Sequence, residues 1–453
     1  MFPPYPDYRR TDLDWFECVP ESWGILRTKQ MFRLIIEKAP ANNQMELLSV
    51  YTHIGVKPRK SLEQRGNKAS TTDGYWVVKK GDIICNKLLA WMGAIGVSHY
   101  EGVTSPAYDI LRPFKPCNTD YYHFLFRTKK YLQQFKLRSR GIMDMRLRLY
   151  FDQFGQILIP VPPRPEQDQI VAYLRAQDAH IARFIKAKRE LIKLLTEQKL
   201  RIIDHAVTRG LDAAVALKPS GIEWLGEVPE HWEVVHIGSA VQIINGYPFD
   251  SGLFDAAIGH PLVRIRDLSR THTEVQFNGP EVPEAIITTG DLIVGMDGDF
   301  NAARWRGGRA LLNQRMCCLR PRKQITTEYL ALVIAKALKF INDLTLSTTV
   351  KHLSSGDVKR LRFPVPSETE QLQIVAHVET ETAPINDAIT RTEEEIKLIR
   401  EYRDRLIADV VTGQVDVRGW QPGPDDVVDD AALAALGDDE DNVSEEEDGD
   451  GED

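Results

Sequence analysis

Arginine, lysine and carboxamide side chains gather in a few short stretches of this 453-residue chain. In the first half these are Lys57, Arg59, Lys60, Arg65 and Lys68, then Asn86 and Lys87, then Arg138, Arg140, Arg146 and Arg148. In the second half they are Arg264, Arg266, Arg304, Arg306 and Arg309, then Asn313, Gln314 and Arg315, then Thr348, Thr349, Lys351 and His352. Trp91, Tyr247 and Trp305 interleave with them. A guanidinium or carboxamide can make paired hydrogen bonds to a base edge, whereas Lys more often meets phosphate. The chemistry on offer is nucleic-acid reading. Any single one of these residues reads better as part of a solvated surface with ordinary ion pairs, and only the set favours DNA.

Nothing comparable points to bond-making. The chain lacks a G-x-x-x-x-G-K-[ST] loop, a G-x-G-x-x-G after a strand and a G-x-S-x-G elbow. It also lacks the D/N-P-P-[YF] tetrapeptide of methyltransferases. His260, His272 and His352 are scattered, with no H-E-x-x-H context. The acidic run Gly295-Met-Asp-Gly-Asp299 could be read as a metal loop, and reads better as a turn. The expectation is a non-catalytic chain with no catalytic residue, no metal and no cofactor of its own.

Charge separates the chain into two parts. Residues 421–453 hold fifteen Asp and Glu and no Lys or Arg. Taking those charges from the net of −8 leaves +7 for residues 1–420. A mildly basic body permits nucleic-acid binding without requiring it. The acidic tail cannot bury enough apolar surface to offset its ordering entropy, so it is expected to be disordered, and it could compete with DNA for the basic body. The five cysteines, at 18, 85, 117, 317 and 318, show no C-x-x-C spacing, which points to a reducing compartment. No apolar leader opens the chain and no run of 18 apolar residues occurs, so a cytoplasmic location without a membrane is expected.

The elements that must position these residues are duplicated. Trp15, Val19, Pro20, Glu21 and Trp23 recur as Trp224, Val228, Pro229, Glu230 and Trp232, and Gly81-Asp82 recurs as Gly290-Asp291. "IPVPPRPEQDQIVAYL", Ile159 to Leu174, recurs as "FPVPSETEQLQIVAHV", Phe363 to Val378. The chain is two copies of one unit of about 205 residues, read as α+β halves related by a pseudo-twofold axis. Each copy begins with a globule of short strands, with runs at 75–78, 83–85, 262–265 and 292–294, and ends in a long helix. Five segments are expected: 1–158, 159–212, 213–362, 363–420 and the tail 421–453.

The two helices carry a stripe with alternating steps of four and three, the signature of a coiled coil. In the first it runs Ile181, Ile185, Lys188, Ile192, Leu195, Lys199, Ile202 and Ala206. In the second it runs Ile385, Ile389, Thr392, Ile396, Ile399, Arg403, Leu406 and Val410. Antiparallel packing within the chain is the simplest arrangement. Pro165 suits a first helical position, Ser367 and Glu370 resemble a capping box, Gly210 and Gly413 mark the stops, and Pro384 is expected to kink or break the second helix near 382–384. Leu191, Leu194, Ile203, Leu398 and Ile407 lie off the stripe. Two helices cannot bury two stripes each, so these five are candidate docking residues for partner helices.

Together these motifs resemble the specificity subunit of Type I restriction-modification systems, over about residues 5–420. "IEWLGEVPEHW", residues 222–232, looks like the opening of a target-recognition domain there. The two Pro-Val-Pro stretches look like the openings of the family's conserved helical regions. "GDIICNKLLAWMGAIGVSHYEGVTSPAYDILRP" at 81–113, and "GDLIVGMDGDFN" through "TTVKHLSS" at 290–355, are similar to two of its recognition-domain types. The resemblance implies two target-recognition domains, at 20–158 and 229–362, each reading one half of a split double-stranded DNA target. It implies two antiparallel helices that space them and dock two methyltransferase subunits and motor-nuclease subunits. Those partners would bring S-adenosylmethionine, ATP and Mg. The acidic tail lies outside the pattern. A protein-interaction scaffold with two globules on a helical spacer is the alternative, and a recognition subunit whose partners are missing is another.

Overall fold

The computed structural model describes residues 2–428 and Leu433, apart from 12, 14, 53, 62–71, 142–146, 299, 323 and 345–352. The chain is mixed α+β and divides into two compact units, Met1–Leu191 with Thr392–Asp453, and Ile192–Arg391. Both dividing lines fall inside long helices, Arg164–Arg209 and Glu368–Val411, so each unit owns one end of each helix. The helices run in opposite directions: Asp178 meets Arg403 and Lys188 meets Glu395 in the first unit, and Lys199 meets Asn386 in the second.

Each unit is built on a four-stranded antiparallel sheet with the same connectivity. In the first, the order across the sheet is Phe32–Ile35, Tyr108–Pro113, Ile83–Asn86, Ile95–Val97. In the second it is Val241–Asn245, Met316–Pro321, Leu292–Gly295, Ala302–Arg304. Ile83, Ile84 and Cys85, like Leu292, Ile293 and Val294, are all buried, which is why these strands read as continuous apolar runs and not as alternation. The repeated Asp after each Gly ties the sheet crosswise. Asp82 accepts two bonds from Arg112, at 2.8 and 2.7 Å, and Asp291 two from Arg320, at 2.8 and 2.6 Å. The Pro-Val-Pro motifs are strands as well: Leu158–Val161 pairs with Gly24–Arg27, and Arg362–Val365 with Glu233–His236.

The second unit adds a five-stranded sheet that the first lacks among the described residues. It includes a parallel pairing of Leu262 with Leu311. The strand expected at 262–265 stops at Val263, because Ile265–Asp267 turns into a 3-10 helix closed by Asp267 on the Arg264 N–H.

Two expectations about the helical half are corrected. Glu368–Val411 continues through Pro384, so the expected break does not occur. Proline removes one backbone bond, while the apolar stripe stays packed on both sides of it, with Val378, Ile385 and Ile396 buried. The first eight tail residues are also placed, against the expectation of a tail disordered from 421: Asp426 meets His180 at 2.7 Å, and Arg183 donates to the carbonyls of Asp425 and Val427. Residues 429–432 and 434–453 lie outside the described residues.

The stripe residues are buried or half-buried along both helices, from Ile181 to Ala206 and from Ile385 to Val410. No helix of the described residues is long and apolar enough to cross a membrane.

Candidate nucleic-acid interface

In both units some of the candidate readers sit at one end of the four-stranded sheet. In the first unit this end carries the turn after Asn86 and the turn before Tyr108, its pairing partner. Lys87 joins the two, its Nζ donating to the Pro106 carbonyl at 2.9 Å and lying 3.6 Å from Asp109. The Leu149 N–H then donates to the Lys87 carbonyl at 2.9 Å. That bond brings the end of the arginine-rich stretch to the same place, with Arg140 and Arg148 bridged backbone to backbone.

The second unit repeats this geometry with different side chains. The Leu353 N–H donates to the Met296 carbonyl at 2.8 Å, just past the stretch holding Thr348, Thr349, Lys351 and His352. Met296 in turn donates to the Arg315 carbonyl, and Tyr247 pairs with Asn313 across a backbone bridge. A Cβ on Gly246 would stand 1.9 Å from the Asn313 carbonyl oxygen, so only glycine allows this approach. Exposed Gln314, exposed Arg315 and exposed Tyr247 thus share one sheet end. Asp297 in the acidic run is an ion-pair partner of Arg315, and Gly298 turns with φ +70°, which is the turn reading of that run.

Three-dimensional neighbours change the roles of several candidates. Asn86 is buried, and its Oδ1 accepts from the Leu88 and Leu89 N–H groups, so it closes a turn and is not aimed outward. Trp91 is half-buried against the core, with Lys136 over its ring at 4.7 Å. Arg138 has its Nε buried. Arg264 is 3.4 Å and Arg266 3.9 Å from Glu274, and Arg304 is 2.9 Å from Glu328. Arg309 makes a two-pronged pair with Glu281, and that pair holds the carboxyl below its ordinary range. Lys60 lies 3.4 Å from Glu46, and Arg140 2.9 Å from Asp152. Lys57 sits over the Tyr100 ring at 6.0 Å, and Arg59 begins the short 3-10 helix Arg59–Ser61. Exposed Arg306 has no ion pair among the described residues. Arg65, Lys68, Arg146, Thr348, Thr349, Lys351 and His352 lie outside the described residues.

A carboxylate paired with an arginine fork offers the geometry a phosphate would offer. The pairs hold these basic side chains against neighbouring acids. Sequence reasoning missed Arg127, which donates to the carbonyls of Gly93, Ile95 and Thr52 and ties the loops of the first sheet together. No spacing signal distinguishes it from a surface arginine.

The docking candidates split. Leu191, Leu194 and Leu398 are 40, 54 and 62% exposed. Ile407 is buried in the chain's own core and Ile203 packs against the second core, so these two are withdrawn as docking residues. They face their own globules because each helix end lies on one.

The family model described as Type I restriction modification DNA specificity domain matches residues 20–194 and 229–398. The chain is 34% identical over 197 residues to the Type I restriction enzyme EcoBI specificity subunit of Escherichia coli, a match spanning 43% of this chain and 41% of that relative. It is 22% identical over 423 residues to the Type I restriction enzyme MjaVIII specificity subunit of Methanocaldococcus jannaschii, covering 88% of this chain and 94% of that one. A solved chain described under "Structural basis underlying complex assembly and conformational transition of the type I R-M system" shares the fold. Its TM-score is 0.59 at 14% identity, over 88% of this chain and 99% of that one.

Proposed function

This chain belongs to the Type I restriction modification DNA specificity family, and from that premise we propose that its two globules each read one half of a bipartite, gapped DNA target. The observation that carries this is the pair of equivalent sheet ends. Leu149 to Lys87 and Leu353 to Met296 are the same bond in two copies, yet the side chains gathered there differ. One mount carrying two unlike readers suits an asymmetric split target. The two antiparallel helices space the readers, and exposed Leu191, Leu194 and Leu398 dock two methyltransferase subunits, alongside motor-nuclease subunits. The partners bring S-adenosylmethionine, ATP and Mg, and this chain, working in the cytoplasm, contributes recognition and no bond-making step.

The test is a domain exchange. Residues 229–362 are replaced by the same segment of a relative, and the methylated adenines made by the assembled complex are sequenced. One half of the motif should change while the other half and the gap persist. A change in both halves would show that the globules are not independent readers. The protein-interaction scaffold is distinguished by salt: DNA affinity should fall steeply and linearly in log–log form as phosphate counterions compete.

A further inference from the structure

The turn from Asn313 to Met316 in the second globule is closed by its own backbone, with the Met316 N–H donating to the Asn313 carbonyl at 3.1 Å. The other amides along it are satisfied inside the chain as well. The Asn313 N–H donates to the Val263 carbonyl at 3.1 Å, and the Gln314 N–H to the Tyr247 carbonyl at 3.0 Å. The Arg315 N–H donates to the Asn313 side-chain oxygen at 3.4 Å. None of these N–H groups is left for a phosphate, so the turn offers a nucleic acid its side chains and not an anion nest. Those side chains are not equivalent. Asn313 is half-buried, and its carboxamide oxygen is committed to the Arg315 N–H. Arg315 is exposed but paired with Asp297. Gln314 is exposed, and its carboxamide makes no hydrogen bond to any described residue. Beside it Tyr247 is held as firmly as the turn: its N–H donates to the Leu312 carbonyl at 2.8 Å, and its ring meets Phe249 edge-on at 5.2 Å. The mount is fixed on both sides, and one carboxamide on it is uncommitted.

We propose that Gln314 is a specificity-determining residue of the second globule and that it reads an adenine in that half of the target. The proposal rests on the reading above that this globule recognises one half-motif. A carboxamide carries donors and an acceptor side by side on one plane. Its N–H can donate to adenine N7 while its oxygen accepts from the adenine N6 amino group, in the major groove. Guanine presents acceptors at both places, N7 and O6, so the carboxamide oxygen would there face another oxygen. A guanidinium, a donor at both prongs, suits guanine, which sets Arg315 apart from an adenine reader. The rigid turn sharpens the choice, because a wrong base cannot be met by shifting the mount.

The experiment uses the assembled complex and two readouts. One is the sequence around the adenines it methylates. The other is binding competition among duplexes varied one base pair at a time, which needs no methylation and so serves for a variant that binds without acting. Gln314→Ala should keep the first half-motif and the gap, and become indifferent at one adenine position of the second half. Discrimination there should fall roughly 5- to 150-fold. Gln314→Arg should turn the preference at that position from adenine to guanine. Arg315→Ala should leave the preferred base at every position as it was. An unchanged motif in both Gln314 variants overturns the proposal, as does a uniform loss of binding with no position relaxed. A motif altered by Arg315→Ala and not by Gln314→Ala assigns the reading to Arg315 and overturns it too. A relaxed position that is not an adenine overturns the base assignment. The domain exchange keeps these failures apart from failure of the underlying reading. If replacing 229–362 leaves the second half-motif intact, the globule is not a reader. If the exchange alters it and the Gln314 variants do not, only the assignment to Gln314 fails.

Discussion

The indole Nε1 of Trp23 donates to Glu166 Oε1 across 2.9 Å, at the start of the first long helix. The second copy repeats the pair, with Trp232 donating to Glu370 across 3.0 Å at the start of the second helix. The helix that ends in each unit reaches the same tryptophan: Gly413 lies against Trp23 and Gly210 against Trp232. Each tryptophan is thus gripped by the beginning of one helix and the end of the other. Antiparallel helices sharing two such anchors require the anchor motif twice, which is the physical content of the repeated Trp and Glu-Gln motifs.

The two carboxylates carry unequal loads, and their removal should show it. Glu166 also accepts from the Tyr5 hydroxyl, whose pKa is raised by burial and by that carboxylate. Glu166→Ala strands two buried donors and should cost about 2–5 kcal/mol. Glu370 serves one buried indole and exposed His231, so Glu370→Ala should cost about 1–3 kcal/mol. Urea unfolding of both variants gives the comparison, and equal costs would contradict the assigned partners.

Much of this arrangement was legible in the sequence, for a physical reason. Duplication, helix periodicity and the long apolar runs around Ile84 and Ile293 are local patterns that burial imposes directly. The glycine stops at 210 and 413 were legible because the left-handed turn selects glycine. The capping box was half right. Ser367 Oγ accepts from the Glu370 N–H at 3.3 Å, but the Glu370 side chain is drawn to Trp232, a partner 138 residues away. The acids that pair with Arg264, Arg304 and Arg309 stand 10, 24 and 28 residues away, outside any local period, whereas the turn that claims Asn86 is local and closes on Leu88 and Leu89. Ile407 looked free because periodicity shows which face is apolar, not which neighbour covers it. The strands of the five-stranded sheet, such as the two-residue Ile286–Ile287, are too short to leave a period.

The glycine stops should differ in tolerance. Both are left-handed, with φ +75° at Gly413 and +70° at Gly210. A Cβ at 413 would stand 2.4 Å from Pro20 Cδ, whereas at 210 the nearest atom is Trp232 Cζ2 at 3.2 Å. Gly413→Ala should therefore cost about 2–4 kcal/mol and Gly210→Ala about 1–2 kcal/mol, the latter mostly backbone strain. Thermal or urea unfolding reads the order, and a reversed order would mean that Pro20 yields easily.

Acid should weaken the first globule through His123. Burial, assisted by the Arg127 guanidinium, pushes its pKa down to about 3. Its Nδ1 accepts from the Val97 N–H at 3.3 Å, a role only the neutral ring can fill. A folded pKa below the ordinary value of 6.5 means that the unfolded chain takes a proton the folded chain refuses. Stability contributed by the neutral ring is complete above pH 6.5 and is lost as pH falls towards 3. The slope is at most about 1.4 kcal/mol per pH unit. Between pH 6.5 and 5, above most carboxylate titration, His123→Asn should flatten the loss, since its amide oxygen can still accept from Val97. An unchanged slope in that variant would remove His123 as the cause.

Arg403 makes two bonds to Asp178, at 2.7 and 2.9 Å, and Asp178 is only 7% exposed. Desolvating the two charges offsets most of their attraction, so the pair adds little net stability, while either partner left alone is a buried charge. Arg403→Leu and Asp178→Leu should each cost about 3–5 kcal/mol, and the double variant should cost less than either one. A double-mutant cycle by urea unfolding measures this coupling directly. What the pair supplies is register. An apolar stripe alone tolerates a slide by one turn, about 5.4 Å, whereas a slide here separates a buried guanidinium from its carboxylate. The double variant should then remain folded but hold its helices in a less defined register. The methylation pattern of the assembled complex would show this as more than one gap length between the half-motifs. Additive single costs would mean that the two residues do not act as a pair, and a single sharp gap in the double variant would mean that register is set elsewhere along the stripe.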